Sequence, residues 1–314
     1  MRKICIIFLT VLLFGFASPS QAAWPDGKNI TLIVPFAAGG NTDIVARALV
    51  PHLEKALQTN IVIRNVSGGA GTLGTAEVAK AAPDGLTIGY LPTGPFILQP
   101  LLRKLPYDMN SFTPIGLVSN TPYVFMVADS SPFRSLEDIR QALAKNPDGY
   151  AIGSSGPGTL PHLASLAMIS ALGGKARHIP DRSSAEGMKS LGGGVVQFFS
   201  DSISFLRSYS VRALGIFSDT RSPAYPDLPT MKEQGYDLTF SIWGGIFAPR
   251  GVSDDVVARL EAALRQAVES PEFQEIAQKN DMTAQYLDAA ALQEFCLSQH
   301  SEAATLIQKL GLKR

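Results

Sequence analysis

Short runs of consecutive apolar residues recur along this chain, each followed by a turn-rich loop and then by apolar residues at helical spacing. A run such as Ile30-Thr31-Leu32-Ile33-Val34 has no polar face to offer water. It predicts a strand covered on both sides, as in a parallel sheet packed between helices. The loop Pro35 to Gly40 follows, and Ile44, Val45, Ala48, Leu49, Leu53, Ala56 and Leu57 then mark a helix interrupted by Pro51. A second strand is predicted over 61–63, a helix over 72–82, and a third strand over 87–91 after the turn Pro83-Asp84-Gly85. A second series opens near Tyr123, with strands over 124–127, 150–152, 195–199 and 211–217 and helices over 136–144, 160–172 and 185–191. From Ser253 the chain reads as helical, over 254–268, from Pro271 onward, and over 289–310. The fold class is therefore α/β. A chain of 314 residues accommodates two such units. We place one at 23–124 with 240–314 and the other at 125–239, each a mostly parallel sheet flanked by helices.

Arg2 and Lys3 precede an apolar run over 4–16, and small residues surround Ala22. This is the pattern of a cleavable signal peptide, residues 1–22, cut after Ala22; the run is shorter than a bilayer span. Cleavage removes Cys5 and leaves Cys296 as the only cysteine, so no internal disulfide is expected. Cys296 lies among Leu292, Phe295 and Leu297, which reads as a packed thiol rather than a reactive one. Lys+Arg and Asp+Glu number 27 each. That balance provides no basic surplus for nucleic acid or anionic lipid, which leaves a small molecule as the expected partner.

Three loops share a chemistry: 37–42 after the first strand, 67–72 after the second, and 153–159 in the second unit. Each is glycine-rich and opens a predicted helix, where free backbone N–H groups and close backbone approach suit an anionic ligand. They fall at strand carboxyl ends, where open α/β sheets bind ligands. Sharper motifs fail. Gly69-Ala70-Gly71-Thr72-Leu73-Gly74 spells GxGxxG, but no acid stands about 20 residues on to hold a ribose. Gly153-Ser154-Ser155-Gly156-Pro157 misses a nucleophile elbow by its last residue. An exported hydrolase using Ser155 with His162 is the rival reading. His52, His162, His178 and His300 have no metal spacing, so neither metal nor cofactor is expected.

The stretch from Pro35 to Arg47 fits P-[FY]-x-x-G-G-x-x-D-x-x-A-R, and further matches follow in order: Asn65 with Gly68-Gly69-Ala70-Gly71, Pro83-Asp84-Gly85, Gly153-Ser154-Ser155-Gly156 with His162, Pro226-Asp227-Leu228-Pro229-Thr230, and Trp243-Gly244-Gly245. On these residues the mature chain resembles the substrate-binding proteins of tripartite tricarboxylate transporters, the Bug family. The resemblance implies a monomeric periplasmic receptor with two lobes of type II-like architecture and no catalytic residues. It would deliver a small organic carboxylate to one small and one large membrane subunit. The ligand classes it suggests are di- or tricarboxylates, acidic amino acids and aromatic acids. Carried residue by residue, it points to Phe36, Ala38, Gly39, Gly40, Asp43 and Gly69 on one lobe. Ser154, Ser155, Thr159 and His162 would face them. Two positions depart from the family pattern. Arg182, in His178-Ile179-Pro180-Asp181-Arg182, would either clamp a distal carboxylate or pair with Asp181 at the surface. Asp201 would supply a cleft acid where Val196 stands at the family's usual position, although Ser200 could take that place. A receptor signalling to a partner other than a permease is a further alternative.

Overall fold

The computed structural model describes residues 24–312; the expected leader and its cleavage point lie outside the described residues. The first series is β1 (Ile30–Val34), α1 (Asn41–Leu57), β2 (Ile61–Asn65), α2 (Thr72–Lys80) and β3 (Thr87–Pro92). A π-helical turn, Gly94–Leu98, leads into the short α3 (Gln99–Leu102) and then β4 (Phe112–Ala128). There follow α4 (Leu136–Lys145), β5 (Ala151–Ser154), α5 (Leu160–Ala171), β6 (Arg177–Pro180), α6 (Ser184–Gly192), β7 (Phe199–Ser202), α7 (Phe205–Ser208) and β8 (Val211–Ile216). The chain then returns through β9 (Ser241–Pro249), α8 (Asp254–Val268), α9 (Pro271–Lys279), β10 (Ala284–Leu287) and α10 (Ala289–Lys309).

The strands run β10-β4-β9-β3-β1-β2 in the first sheet. β1 pairs parallel with β2 and β3. β9 lies antiparallel to both β3 and β4, and β10 antiparallel to β4. The far half of β4 pairs antiparallel with β7 and β8, while β5 and β6 are parallel and a bridge from Ile152 to Phe198 sets β5 beside β7. The expectation of mostly parallel sheets is corrected: the sheets are mixed. The α/β layering holds, but continuous apolar runs report burial of both faces, which a central strand has whatever its neighbours' direction. The antiparallel pairs arise because β4 and β9 carry the chain out and back.

Two apolar layers sandwich the first sheet. On one face Val45, Leu49 and Leu53 of α1 pack with Leu260, Leu264 and Phe273 of α8 and α9. On the other, Val78 of α2, Phe96, Trp243, Phe247, Leu292 and Cys296 share one core that continues into Phe125, Ile152, Leu163 and Phe198 of the second series. Cys296 is buried there, and burial pushes its thiol up to about 12, so it is inert. Helix α1 runs unbroken through Pro51. Ser135 and Ser270 cap their helices through side-chain bonds, whereas Ser253 makes none.

Candidate functional site

All three glycine loops lie at strand carboxyl ends. In the first, Ala38, Gly39 and Gly40 are exposed and Phe36 is half-buried. Gly40 occupies the N-cap of α1 without a side-chain cap, so the first-turn N–H groups have no helical acceptor and face outward. Asp43 is buried and fully engaged. It accepts from the Gly39 N–H (2.8 Å), Arg47 Nε (2.8 Å) and Asn65 Nδ2 (2.9 Å). Asn65 Nδ2 also donates to the Phe36 carbonyl at 3.0 Å. Burial alone would raise the Asp43 pKa, but the bonds from Arg47, Gly39 and Asn65 outweigh it and hold the carboxyl below its usual range. The acid therefore shapes the loop, with its lone pairs committed to protein donors.

The second loop is a tight turn in which Gly68, Gly69, Ala70 and Gly71 all have positive φ. Gly71 is required sterically as well: a Cβ there would lie 2.9 Å from Pro95 Cγ and 3.0 Å from Phe36 Cζ. The Gly69 carbonyl accepts from the Arg103 guanidinium, which also reaches Thr72 Oγ1 at 3.3 Å.

The third loop is built around two stacked imidazoles. His162 of α5 and His178 of β6 lie 3.7 Å apart between centroids with an interplanar angle of 20°. His178 Nε2 meets Ser154 Oγ at 2.6 Å. His162 Nδ1 accepts from the Gly158 N–H at 3.1 Å, which places its proton on Nε2. Burial, and then the neighbouring His178, lower His162 to about 4; burial also lowers His178. Both are neutral at neutral pH. Ser154 Oγ bonds Gly156 on both sides, accepting from its N–H and donating to its carbonyl. Thr159 Oγ1 donates to the same carbonyl at 2.7 Å. The Ser155 hydroxyl is half-buried and is not a partner of His162, whose Nδ1 is occupied, so the geometry lacks the nucleophile–base bond of a hydrolase.

Arg182 is exposed in the loop between β6 and α6, at the same sheet end as Ser154, because Asp181 N–H donates to the Ser154 carbonyl at 2.9 Å. It does not pair with Asp181, which accepts instead from Ser190 at 2.9 Å. Asp201 on β7 is buried. It accepts from Ser184 Oγ at the start of α6, from the Ser202 N–H (2.7 Å) and from Tyr123. Burial pushes its carboxyl up to about 6. Like Asp43, it pins elements together.

The sequence-derived residues thus fall into two clusters: Phe36, Ala38, Gly39, Gly40, Asp43 and Gly69 in one, and Ser154, Ser155, Thr159, His162, Arg182 and Asp201 in the other. Residues 99–103 reach both: the Gly158 carbonyl accepts from Gln99 Nε2 at 3.3 Å and the Gly69 carbonyl from the Arg103 guanidinium. Sequence reasoning missed His178, Arg103 and Gln99 as supporting residues. A histidine one strand away from Ser154, and a glutamine in an apolar stretch, carry no local signal. Among the described residues no group of three or more metal-ligating side chains occurs, and no helix is long and apolar enough to cross a membrane.

Backbone donors are thus gathered at strand ends, beside neutral hydroxyls and imidazoles. The chain belongs to the tripartite tricarboxylate transporter family receptors, whose family model matches residues 45–312. A UPF0065 protein of Bordetella pertussis is 30% identical over 97% of this chain and 96% of its own length. The solved structure of the periplasmic binding protein BugD is 33% identical, covers 91% of this chain and 98% of its own, and superposes with a TM-score of 0.80. MatC of Rhodopseudomonas palustris, solved with bound malate, is 28% identical over 89% of this chain and 98% of its own, with a TM-score of 0.79. The family and these neighbours are binding receptors, not enzymes.

Proposed function

We propose that this protein is a periplasmic receptor that captures a small organic carboxylate between two lobes, 23–124 with 240–314 and 125–239. It would then deliver the ligand to the small and large membrane subunits of a tripartite transporter. The observation that carries this reading is the arrangement of uncapped or glycine-rich helix starts at strand carboxyl ends in both sheets. Carboxylate oxygens would accept from N–H groups at the start of α1 and α5 and from the Ser155 hydroxyl, with Thr159, whose hydroxyl is held by the Gly156 carbonyl, shaping the loop; each charge-assisted bond contributes roughly 1.5–3 kcal/mol. Arg182 at the rim would steer anions toward the cleft. Malate in the MatC structure supports the carboxylate class.

The test is thermal unfolding of residues 23–314 with a panel of citrate, C4 to C6 dicarboxylates, acidic amino acids and aromatic acids, with methyl esters as controls. An acid at 100 times its Kd stabilises by about 2.7 kcal/mol, an upward shift of a few degrees for a chain of this length. A shift with an acid and none with its ester supports the reading. No shift with any acid, in protein shown by mass spectrometry to carry no co-purified ligand, overturns it.

A further inference from the structure

Residues 94–103, between β3 and β4, touch the second and third glycine loops. Pro95 and Phe36 together crowd Gly71, and Arg103 binds the Gly69 carbonyl. Gln99, only 5% exposed, donates from Nε2 to the Gly158 carbonyl at 3.3 Å. Leu102 fills the space beside Gly158, where an added Cβ would lie 2.6 Å from Leu102 Cδ1. The segment opens with the π-helical turn, closed by the Gln99 N–H on the Gly94 carbonyl. The residue added to that turn rotates Gln99 and its successors relative to an ordinary helix, a distortion that concentrates at functional sites.

We propose that Gln99 and Leu102 form a latch: positioning residues that hold the loop 154–159 against the first sheet and favour the closed arrangement before a ligand arrives. The inference rests on the two-lobed receptor reading. Gln99 and Leu102 stand in the part of the chain assigned to one lobe, and Gly158 stands in the other. Their contact exists only while the lobes are together. It adds to the stability of the closed state without touching the ligand, so it raises the fraction of receptor competent to hold one. Apparent affinity scales with that fraction. Because Gly158 also donates its N–H to His162, the latch fixes both polar groups of one peptide-flanking residue in the loop expected to grip the carboxylate.

The test uses spin labels at K55C on α1 and K145C on α4, both exposed positions, with the buried Cys296 left unlabelled. Inter-label distances are measured without ligand in the wild type, in Gln99→Met, which keeps the shape and removes the donor, and in Leu102→Ala. The latch predicts a short distance in the wild type and a longer one in both variants. An acid that stabilises the wild type restores the short distance, with an apparent Kd weakened about fivefold for one lost hydrogen bond. Equal distances in all three proteins overturn the latch. So does a lowered midpoint at unchanged distance, which would assign Gln99 and Leu102 to packing alone. If no acid shifts the wild type, the receptor reading fails, and the ligand-free distances still decide the latch.

Discussion

Truncating Asp43 would strand the Gly39 N–H, the Asn65 amide and the Arg47 guanidinium that now converge on it. Asp43→Ala is expected to cost on the order of 1 kcal/mol, since water can replace part of what the exposed Gly39 and Arg47 lose while the half-buried Asn65 amide is left short of a partner, and Asp43→Asn less, because an amide oxygen keeps one acceptor. Thermal midpoints of the two variants check the order. Gly71→Ala is expected to lower the midpoint by several degrees, since φ of 86° costs an L-residue roughly 1–2 kcal/mol before the contacts with Pro95 and Phe36 are added. His162 gives a pH signature. Between its folded value of about 4 and its usual 6.5, the unfolded chain holds a proton that the folded site rejects, so its contribution to stability rises with pH. Asp201, pushed from 3.8 to about 6, holds a proton when folded and contributes the opposite slope. The difference between wild type and His162→Gln isolates the histidine: the variant should lose less stability on acidification from pH 6.5 to 4, and an equal loss in both proteins contradicts the prediction. At this scale the sequence showed where Asp43 stands, as a first-turn acid. It did not show that Asn65, from another strand, would occupy the same carboxylate, because that pairing is made by the β1–β2 register.

Elements were legible where one strong local pattern decided them. Helices α4, α8 and α9 begin at the serines that mark them, and β1 and β3 coincide with their apolar runs. The full length of β4 was not legible. Its seventeen residues contain Pro114, Gly116 and Pro122, which read as breaks, yet the register shifts between Pro114 and Gly116 absorb the missing donor. β9 and β10 are not among the expected strands: glycines interrupt the first, and the second is a four-residue strand inside a stretch that reads as helical. Helix α1 supplies a prediction at this level. Pro51 sits in its interior, where the ring removes a backbone bond. Pro51→Ala is expected to restore that bond and raise stability by about 1 kcal/mol, less than the full helix penalty because alanine also frees the unfolded chain. Chemical denaturation reads this directly; a lowered midpoint would mean that the proline ring's packing outweighs the missing bond.

One core spans both series, joining Phe96, Trp243 and Phe247 to Phe125 and Phe198, and β4 belongs to both sets of strands. Unfolding is therefore expected as a single transition, with tryptophan fluorescence and far-ultraviolet circular dichroism coincident. Two separated transitions would show that the strand and core do not couple the halves. The shared strand also has a temporal consequence. β3 and β4 are neighbours in sequence, but β9 lies between them in the sheet, so the sheet that begins at Ile30 waits for Ser241–Pro249 before it can close. Such distant pairing is slow to form. A chain built this way cannot complete the centre of its main sheet until nearly four-fifths of it has been made, so β3 and β4 spend most of synthesis with an edge still open to the strand that will fill it.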